Sequence, residues 1–488
     1  MKTILLTTSV FLLSLVSRDA SCATDDALQN WPQWRGPLAN GTAPQADPPL
    51  EWSESKNVKW KIKIPGEGTS TPMVWGNRVF ILSAVRFPKS AEPKSDETKP
   101  KGANPGDARP DEPKPIELAQ APPPRGPGDP PPGGGPRRRG PGGPGGGFGR
   151  GEKPTDPYQF TVFCLDRGTG KTLWQKIARE EVPHEGRQQD NTFASASPTT
   201  DGKLLFAYFG SRGLHCYDLD GNLKWSKDFG RMQTRNGFGE GASPALHGDI
   251  VVVNWDDETD GDFIAAFNKQ TGKELWKTPR DEKTGWATPL IVESGGKAQV
   301  IVNASGKVRS YDLATGKEIW SCAGQTANAI PTPVADADTV YVTSGFMGSA
   351  LYAIKLGASG DVAGTDAVRW KYNKNTPYVP SPLLADGMIY TVTGNNGVLS
   401  CFDSKTGTAH FEGERLEGVF GIYASPVAAK DRVYVLGRDG KCLVLKKGPK
   451  LEILATNKLD DKTDASIAFA GKELFIRGKE NLYCVAGK

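Results

Sequence analysis

The chain has 488 residues, of which 37% are hydrophobic and 24% charged, so most of it can bury a core. Lys and Arg number 60 against 56 Asp and Glu, and a net charge of +4 is too small to argue for a polyanion-binding core. The length fits roughly two or three ordinary domains, or one large closed repeat.

Residues 1–23 read as a secretion signal. Lys2 gives a thin basic start, Ile4 to Val16 form an apolar run too short to span a bilayer, and Ser21-Cys22-Ala23 offer small residues for cleavage. Cys22 is not expected to carry a lipid, because Asp19 stands where an apolar residue is wanted. No later segment is apolar for long enough to cross a membrane, so the mature chain is expected to be periplasmic or otherwise exported. Residues 24–57 form an N-terminal segment, and residues 58–488 carry everything that repeats.

The first pattern is a Ser/Thr-Pro pair, at Thr71-Pro72, Ser197-Pro198, Ser243-Pro244, Thr288-Pro289, Thr332-Pro333, Ser381-Pro382 and Ser425-Pro426. A β-branched run follows each, such as Thr339-Val340-Tyr341-Val342, then a glycine turn and a third run such as Val308 to Asp312. Thr-Gly-Lys then leads into a fourth run closed by Trp, at Thr169 to Trp174, Thr271 to Trp276 and Thr315 to Trp320. Worn copies end at Trp225 and Phe411. Four short runs separated by turn residues predict an antiparallel meander, with the glycine supplying φ > 0 in a tight hairpin. The closing aromatic returns roughly every 40–50 residues, a period that marks an array of small sheets.

Third runs near Cys164, Cys216, Ala266, Ser310, Ala353, Cys401, Val444 and Cys484 predict eight such sheets. The last copy, Ala465 to Ala486, lacks a fourth run, and Val58-Lys59-Trp60-Lys61-Ile62 is a fourth run without the other three. Joining them predicts an all-β, eight-bladed propeller of four-stranded antiparallel blades, closed by an N-terminal strand and leaving only short, protected edges. The third-run position takes Cys, Ala or Ser, which reads as a small buried packing site. Copies on different blades should lie too far apart for disulfides.

One stretch interrupts the first blade. Residues 87–157, rich in Pro, Gly and charge, cannot bury enough apolar area to fold. They read as a solvated, disordered insert. The basic part from Pro136 to Arg150 offers a second reading, as a weak tether to an anionic surface.

Two constellations offer chemistry. Asp256, Glu258 and Asp260 are spaced like the start of a calcium loop, but Phe267 stands where the bidentate Glu belongs, so the run is expected to be a solvated hairpin loop and no metal is expected. The loops between one blade and the next should converge at one end of the channel. They hold Arg187, Asn191, Arg235, Asn236, Glu240, Trp286, Asn328, Tyr378 and Tyr423, the candidate ligand site. The other reading is that these residues plug the channel and cap backbone groups. The four histidines are scattered, and no nucleophile motif or dinucleotide loop is present.

Taken together, the Ser-Pro, Tyr-Val and Asp-x-x-Thr-Gly-Lys-x-x-Trp elements resemble the repeat of the pyrroloquinoline-quinone-like β-propellers, from about Trp31 onward. Trp31-Pro32-Gln33-Trp34-Arg35-Gly36-Pro37 resembles the N-terminal signature of exported members. Two groups within that resemblance imply different functions. Quinoprotein alcohol dehydrogenases hold the quinone and a calcium ion above the axis, against an adjacent Cys-Cys disulfide; BamB uses the propeller as a scaffold in outer-membrane assembly. Here no two cysteines adjoin, and no quinone or calcium residue can be placed. The expectation is therefore an exported, monomeric, non-catalytic scaffold that binds an envelope protein or small ligand at the axis, with no cofactor and no nucleic acid. The alternatives are a dehydrogenase dependent on pyrroloquinoline quinone (PQQ) and calcium with an altered site, or a glycan-binding propeller using Trp286, Tyr378 and Tyr423 as stacking platforms.

Overall fold

A computed structural model describes residues 25–87, 151–395 and 397–487. The secretion signal, Cys22 and residues 88–150 of the insert lie outside the described residues. The described residues all fall in one compact unit.

Eight antiparallel sheets follow one another in the predicted order. The strands of the first blade are Met73–Trp75, Arg78–Arg86, Tyr158–Asp166 and Thr172–Glu181. The eighth blade is built from both ends of the chain. Ala468–Ala470, Glu473–Arg477 and Asn481–Ala486 are completed by Val58–Lys63, with Trp60 opposite Cys484. Two blades carry an extra parallel strand: Thr42–Ala43 on the inner edge of the seventh and Gly360–Asp361 on the outer edge of the fourth.

The conserved spacing within each copy has a geometric cause. The third-strand position that takes Cys, Ala or Ser lies directly across the ladder from the closing aromatic: Cys164 faces Trp174, Cys216 faces Trp225, Ala266 faces Trp276 and Ser310 faces Trp320. A small side chain leaves room for the indole. The seventh blade, which has no such Trp, pairs the larger Val444 with Ala455. The ladder also slips by one residue just before each of these aromatics, a β-bulge that turns the ring toward the next blade. Most of the Trp N–H groups then cross the gap, whereas Trp320 donates to Gln299 Oε1 of its own blade at 3.1 Å. Trp60 donates to Arg167 O at 2.9 Å, Trp174 to Leu219 O at 2.9 Å and Trp276 to Leu313 O at 2.8 Å.

The glycine of Thr-Gly-Lys does more than supply its φ of +71 at Gly316. A Cβ there would come within 2.5 Å of the Trp276 ring of the preceding blade, so the turn is also the floor on which that indole lies. The turn is fixed by its acid: Asp312 Oδ1 accepts from Thr315 N at 2.8 Å and Thr315 Oγ1 at 2.7 Å.

The Ser/Thr-Pro pairs form a ring around the channel. Thr71 N donates to Ser197 Oγ, Ser197 N to Ser243 Oγ, and so on through Ser425 N to Ser466 Oγ, each at 2.9 Å. The link from the eighth blade back to the first is missing, and Thr71 Oγ1 is buried without a partner among the described residues. All six cysteines from Cys164 onward are buried and free.

Candidate functional site

An antiparallel meander sorts its connections. The loops between blades, and those between second and third strands, gather at one end, here called the upper mouth. The short hairpins gather at the lower mouth.

All nine candidate residues lie in upper-mouth loops, and most are tied to one another or to the rim. Arg187 pairs with Glu67 through Nε at 2.9 Å and Nη2. Asn191 donates to Phe238 O at 2.9 Å, and Trp286 Nε1 to Gly239 O at 2.7 Å. Arg235 Nη1 donates to Asn328 Oδ1 at 3.0 Å. Asn236 and Asn328 both take φ +54, a left-handed conformation that Asn tolerates. Tyr378 packs against Phe346 with centroids 4.9 Å apart and the rings tilted by 35°, and burial raises its hydroxyl pKa. Glu240 accepts from Ser211 N at 2.6 Å and Arg212 Nη1 at 3.0 Å. A Cβ on Gly210 would stand 1.4 Å from the Glu240 carboxylate, so only glycine fits there.

The strongest contacts cross the mouth. Asp190, between the first and second blades, accepts from Arg438 Nη2 at 2.7 Å and from the Tyr423 hydroxyl at 3.3 Å, on the seventh blade and the loop before it. Arg438 also binds Asp464 at 2.6 Å and lies 4.1 Å over the Tyr423 ring. Burial pushes Asp190 up, but the Arg438 guanidinium more than offsets it and holds the carboxyl below its usual range. At Asp464 burial wins and the pKa rises. Tyr423 is pushed up to about 12 by burial and the Asp190 charge. Asp190, Arg438 and Asp464 escaped sequence reasoning. Only the Gly437-Arg438-Asp439-Gly440 turn and the charge three residues after Arg187 pointed toward them.

The acidic loop of the third blade corrects one expectation. It is not a solvated hairpin: Asp256 and Asp257 are buried, because Arg280 fills the space beside them. Arg280 Nε meets Asp256 Oδ1 at 2.8 Å with both side chains fully enclosed. Glu258 accepts from Thr284 Oγ1 at 2.8 Å, Asp262 from Glu282 N at 3.1 Å, and Asp260 is exposed. These acids fasten the loop to its neighbours. Among the described residues no three His, Cys, Asp or Glu are arranged to hold a metal ion. Among the described residues the upper mouth holds a cavity of about 30 Å³ lined by Glu185, Arg212, Thr234, Glu240, Asn254 and Trp286. Burial raises the Glu185 pKa, and its carboxylate accepts from Thr234 Oγ1 at 2.5 Å.

The lower mouth is covered differently, by the N-terminal segment. Trp31 bridges to Val74 in the first blade, and Pro32 O accepts from Thr200 N at 2.9 Å in the second. The chain then crosses the channel. Arg35 Nη2 donates to Pro382 O at 2.8 Å and Pro426 O at 3.2 Å, in the sixth and seventh blades. Asp47 N ends the crossing on Gly471 O of the eighth at 2.8 Å.

Solved structures share this architecture. BamB from Moraxella catarrhalis is similar with a TM-score of 0.51 at 14% identity, over 69% of this chain and 95% of that one. A europium-containing methanol dehydrogenase is similar with 0.56 at 9% identity, over 94% and 98%. The quinohemoprotein alcohol dehydrogenase from Comamonas testosteroni is similar with 0.57 at 9% identity, over 97% and 83%. At these identities the likeness is one of fold. No curated protein matches the chain. The model of one family matches residues 159–408 and 304–486, more than half of the sequence, and the chain belongs to that family of quinone-like repeat propellers, described as outer membrane protein assembly factor BamB.

Proposed function

We propose that this protein is an exported, non-catalytic propeller that acts as a binding scaffold in the cell envelope, in the assembly of outer-membrane proteins. The observation that carries this reading is the closure of the upper mouth by the chain's own side chains. A cavity of about 30 Å³ has room for about two waters, whereas ligand pockets run to roughly 300–1,000 Å³. The residues there do not fit a quinone with its calcium: Asp190, Glu240 and Asp256 are each already paired with an arginine. The rings of Tyr378 and Tyr423 are engaged by Phe346 and Arg438, which argues against glycan stacking, and the Trp286 indole N–H is held by Gly239 O.

A partner then meets the loops' outer surface. Phe420 and Met347 stand in upper loops at 69% and 90% exposure, apolar groups that a protein surface would cover. No described helix is long and apolar enough to cross a membrane.

The test has two arms. Purified protein titrated with PQQ and calcium is expected to bind neither. Stoichiometric uptake with dye-linked alcohol oxidation would overturn the reading. Cross-linking in envelopes is expected to join the upper face to the outer-membrane assembly machinery, and Phe420→Asp should weaken that link without lowering Tm.

A further inference from the structure

The lower mouth holds a feature that the scaffold reading does not use. Between the N-terminal crossing and the inner strands of the second to fourth blades lies a cavity of about 410 Å³. Ordinary small-molecule sites span roughly 300–1,000 Å³. It reaches solvent beside Gly248 and Leu38, both exposed.

Its walls combine apolar faces with unspent neutral hydrogen-bonding groups. Gln33, Trp34, Trp75, Leu246 and Ile291 line it, and all of them are half-buried. Tryptophans packed between blades spend their indole N–H groups on carbonyls, as Trp60, Trp174 and Trp276 do. The N–H groups of Trp34 and Trp75 donate to no protein atom among the described residues, yet neither nitrogen is sealed in as that of Trp52 is. The Gln33 side-chain amide is unspent and accessible in the same way.

A glycine gives Trp75 its place. Gly202 takes a φ of +85, and a Cβ there would stand 2.3 Å from the Trp75 ring. The indole therefore lies against this turn, next to Asp201 on the cavity wall.

The ionic groups of the wall are already engaged. Asp201 is held by Lys269 Nζ at 2.9 Å, and His247 Nε2 meets Glu293 at 3.0 Å. Arg35 also borders the cavity, but its Nη2 serves Pro382 O and Pro426 O, and its Nε and Nη1 are sealed in. A charged ligand would leave water without finding an accessible counter-charge, which is costly. A wholly apolar ligand would strip water from the indole N–H groups and the Gln33 amide and leave them unmet. A neutral polyol with an apolar C–H face answers both demands, since each hydroxyl accepts as well as donates and the ring faces cover the rest.

We propose that the lower cavity is a binding site for a neutral sugar of one or two rings. Its C–H face lies against Trp34 and Trp75, and its hydroxyls bond to the two indole N–H groups and the Gln33 amide. The site is at the opposite end of the channel from Trp286, Tyr378 and Tyr423, and it stands whether or not the scaffold reading does.

The test titrates the full chain by calorimetry with glucose, maltose, cellobiose and diacetylchitobiose, and with benzoate and an oligoproline peptide for comparison. Saturable heat is expected from at least one of the sugars. Trp34→Ala should weaken that binding about tenfold through lost stacking area. Trp75→Phe keeps a ring and removes the N–H, and Gln33→Leu keeps the approximate shape and removes the amide. Each should weaken binding about threefold, the worth of one hydrogen bond, with a Tm near that of the wild type. The proposal is overturned if no sugar binds the wild type, including the case in which only benzoate or the peptide does. It is equally overturned if Trp75→Phe and Gln33→Leu both fold and bind the sugar as the wild type does.

Discussion

The two mouths of the channel are closed on opposite principles. At the upper mouth, loops of unlike sequence reach across the axis, and several charges find their opposites: Asp190 with Arg438, Asp256 with Arg280, Arg187 with Glu67. At the lower mouth a single segment is laid over the hairpins, held mostly by backbone hydrogen bonds, and its one enclosed charge, Arg35, goes unanswered. The polar residues that look most like a site are therefore those that close the structure. The plainer end retains the larger of the two cavities and an enclosed arginine without a carboxylate.

The largest effect should come from breaking the lower cover. Trp31 is completely buried and meets Phe469 edge-on with centroids 5.6 Å apart. Trp31→Ala is expected to cost about 3–5 kcal/mol, read as a lower urea midpoint, and to expose the cavity around Arg35. Next is Gly210→Ala, which drives a methyl into the Glu240 carboxylate at a φ of +57. A loss of about 2 kcal/mol is expected, again by urea denaturation, with the lower mouth unaffected.

Asp190→Asn probes the cross-axis pair and should cost only about 1 kcal/mol, because both partners are partly exposed. Its pH dependence is more telling than its size. Asp190 has a lowered pKa in the folded state. Its contribution is therefore full above the ordinary aspartate value of about 4 and is lost as pH falls through the lower folded value. Wild type and variant should differ in Tm above the ordinary aspartate value of about 4 and converge as pH falls through the lower folded value, and parallel curves would show that the pair contributes nothing. The smallest effect is expected at Leu173, the bulged residue before Trp174, which is 51% exposed. Leu173→Lys should change stability by less than about 0.5 kcal/mol, which thermal denaturation would show.

Much of this architecture was legible because the repeat names its own parts. The Ser/Thr-Pro pairs, the Thr-Gly-Lys turns and the orphan run at Val58 to Ile62 place eight blades and their closure. The bulge before each Trp was not legible, since a one-residue slip in pairing leaves no mark in the order of residue types. The meaning of the Cys/Ala/Ser position was half legible: its smallness is in the sequence, but the indole that demands it lies on another strand. At the upper mouth the loops were identified, yet Asp190, Arg438 and Asp464 were not, because their pairing joins residues 26 and 248 positions apart. Arg35 sits in a motif noticed for its family likeness, and only the fold shows that its guanidinium is enclosed without a carboxylate.

The eighth blade has a consequence for how the molecule is made. Its outer strand, Val58–Lys63, leaves the ribosome long before its partner, Asn481–Ala486, is synthesised. Until then Trp60 and an open strand edge wait unpaired, with the hazards of exposed edges and slow long-range pairing. The gap in the hydroxyl ring lies at this same junction, between Ser466 and Thr71. A circular permutant opened between two other blades would make this junction from contiguous chain. It should refold faster than the natural order, at the cost of moving the waiting edge elsewhere.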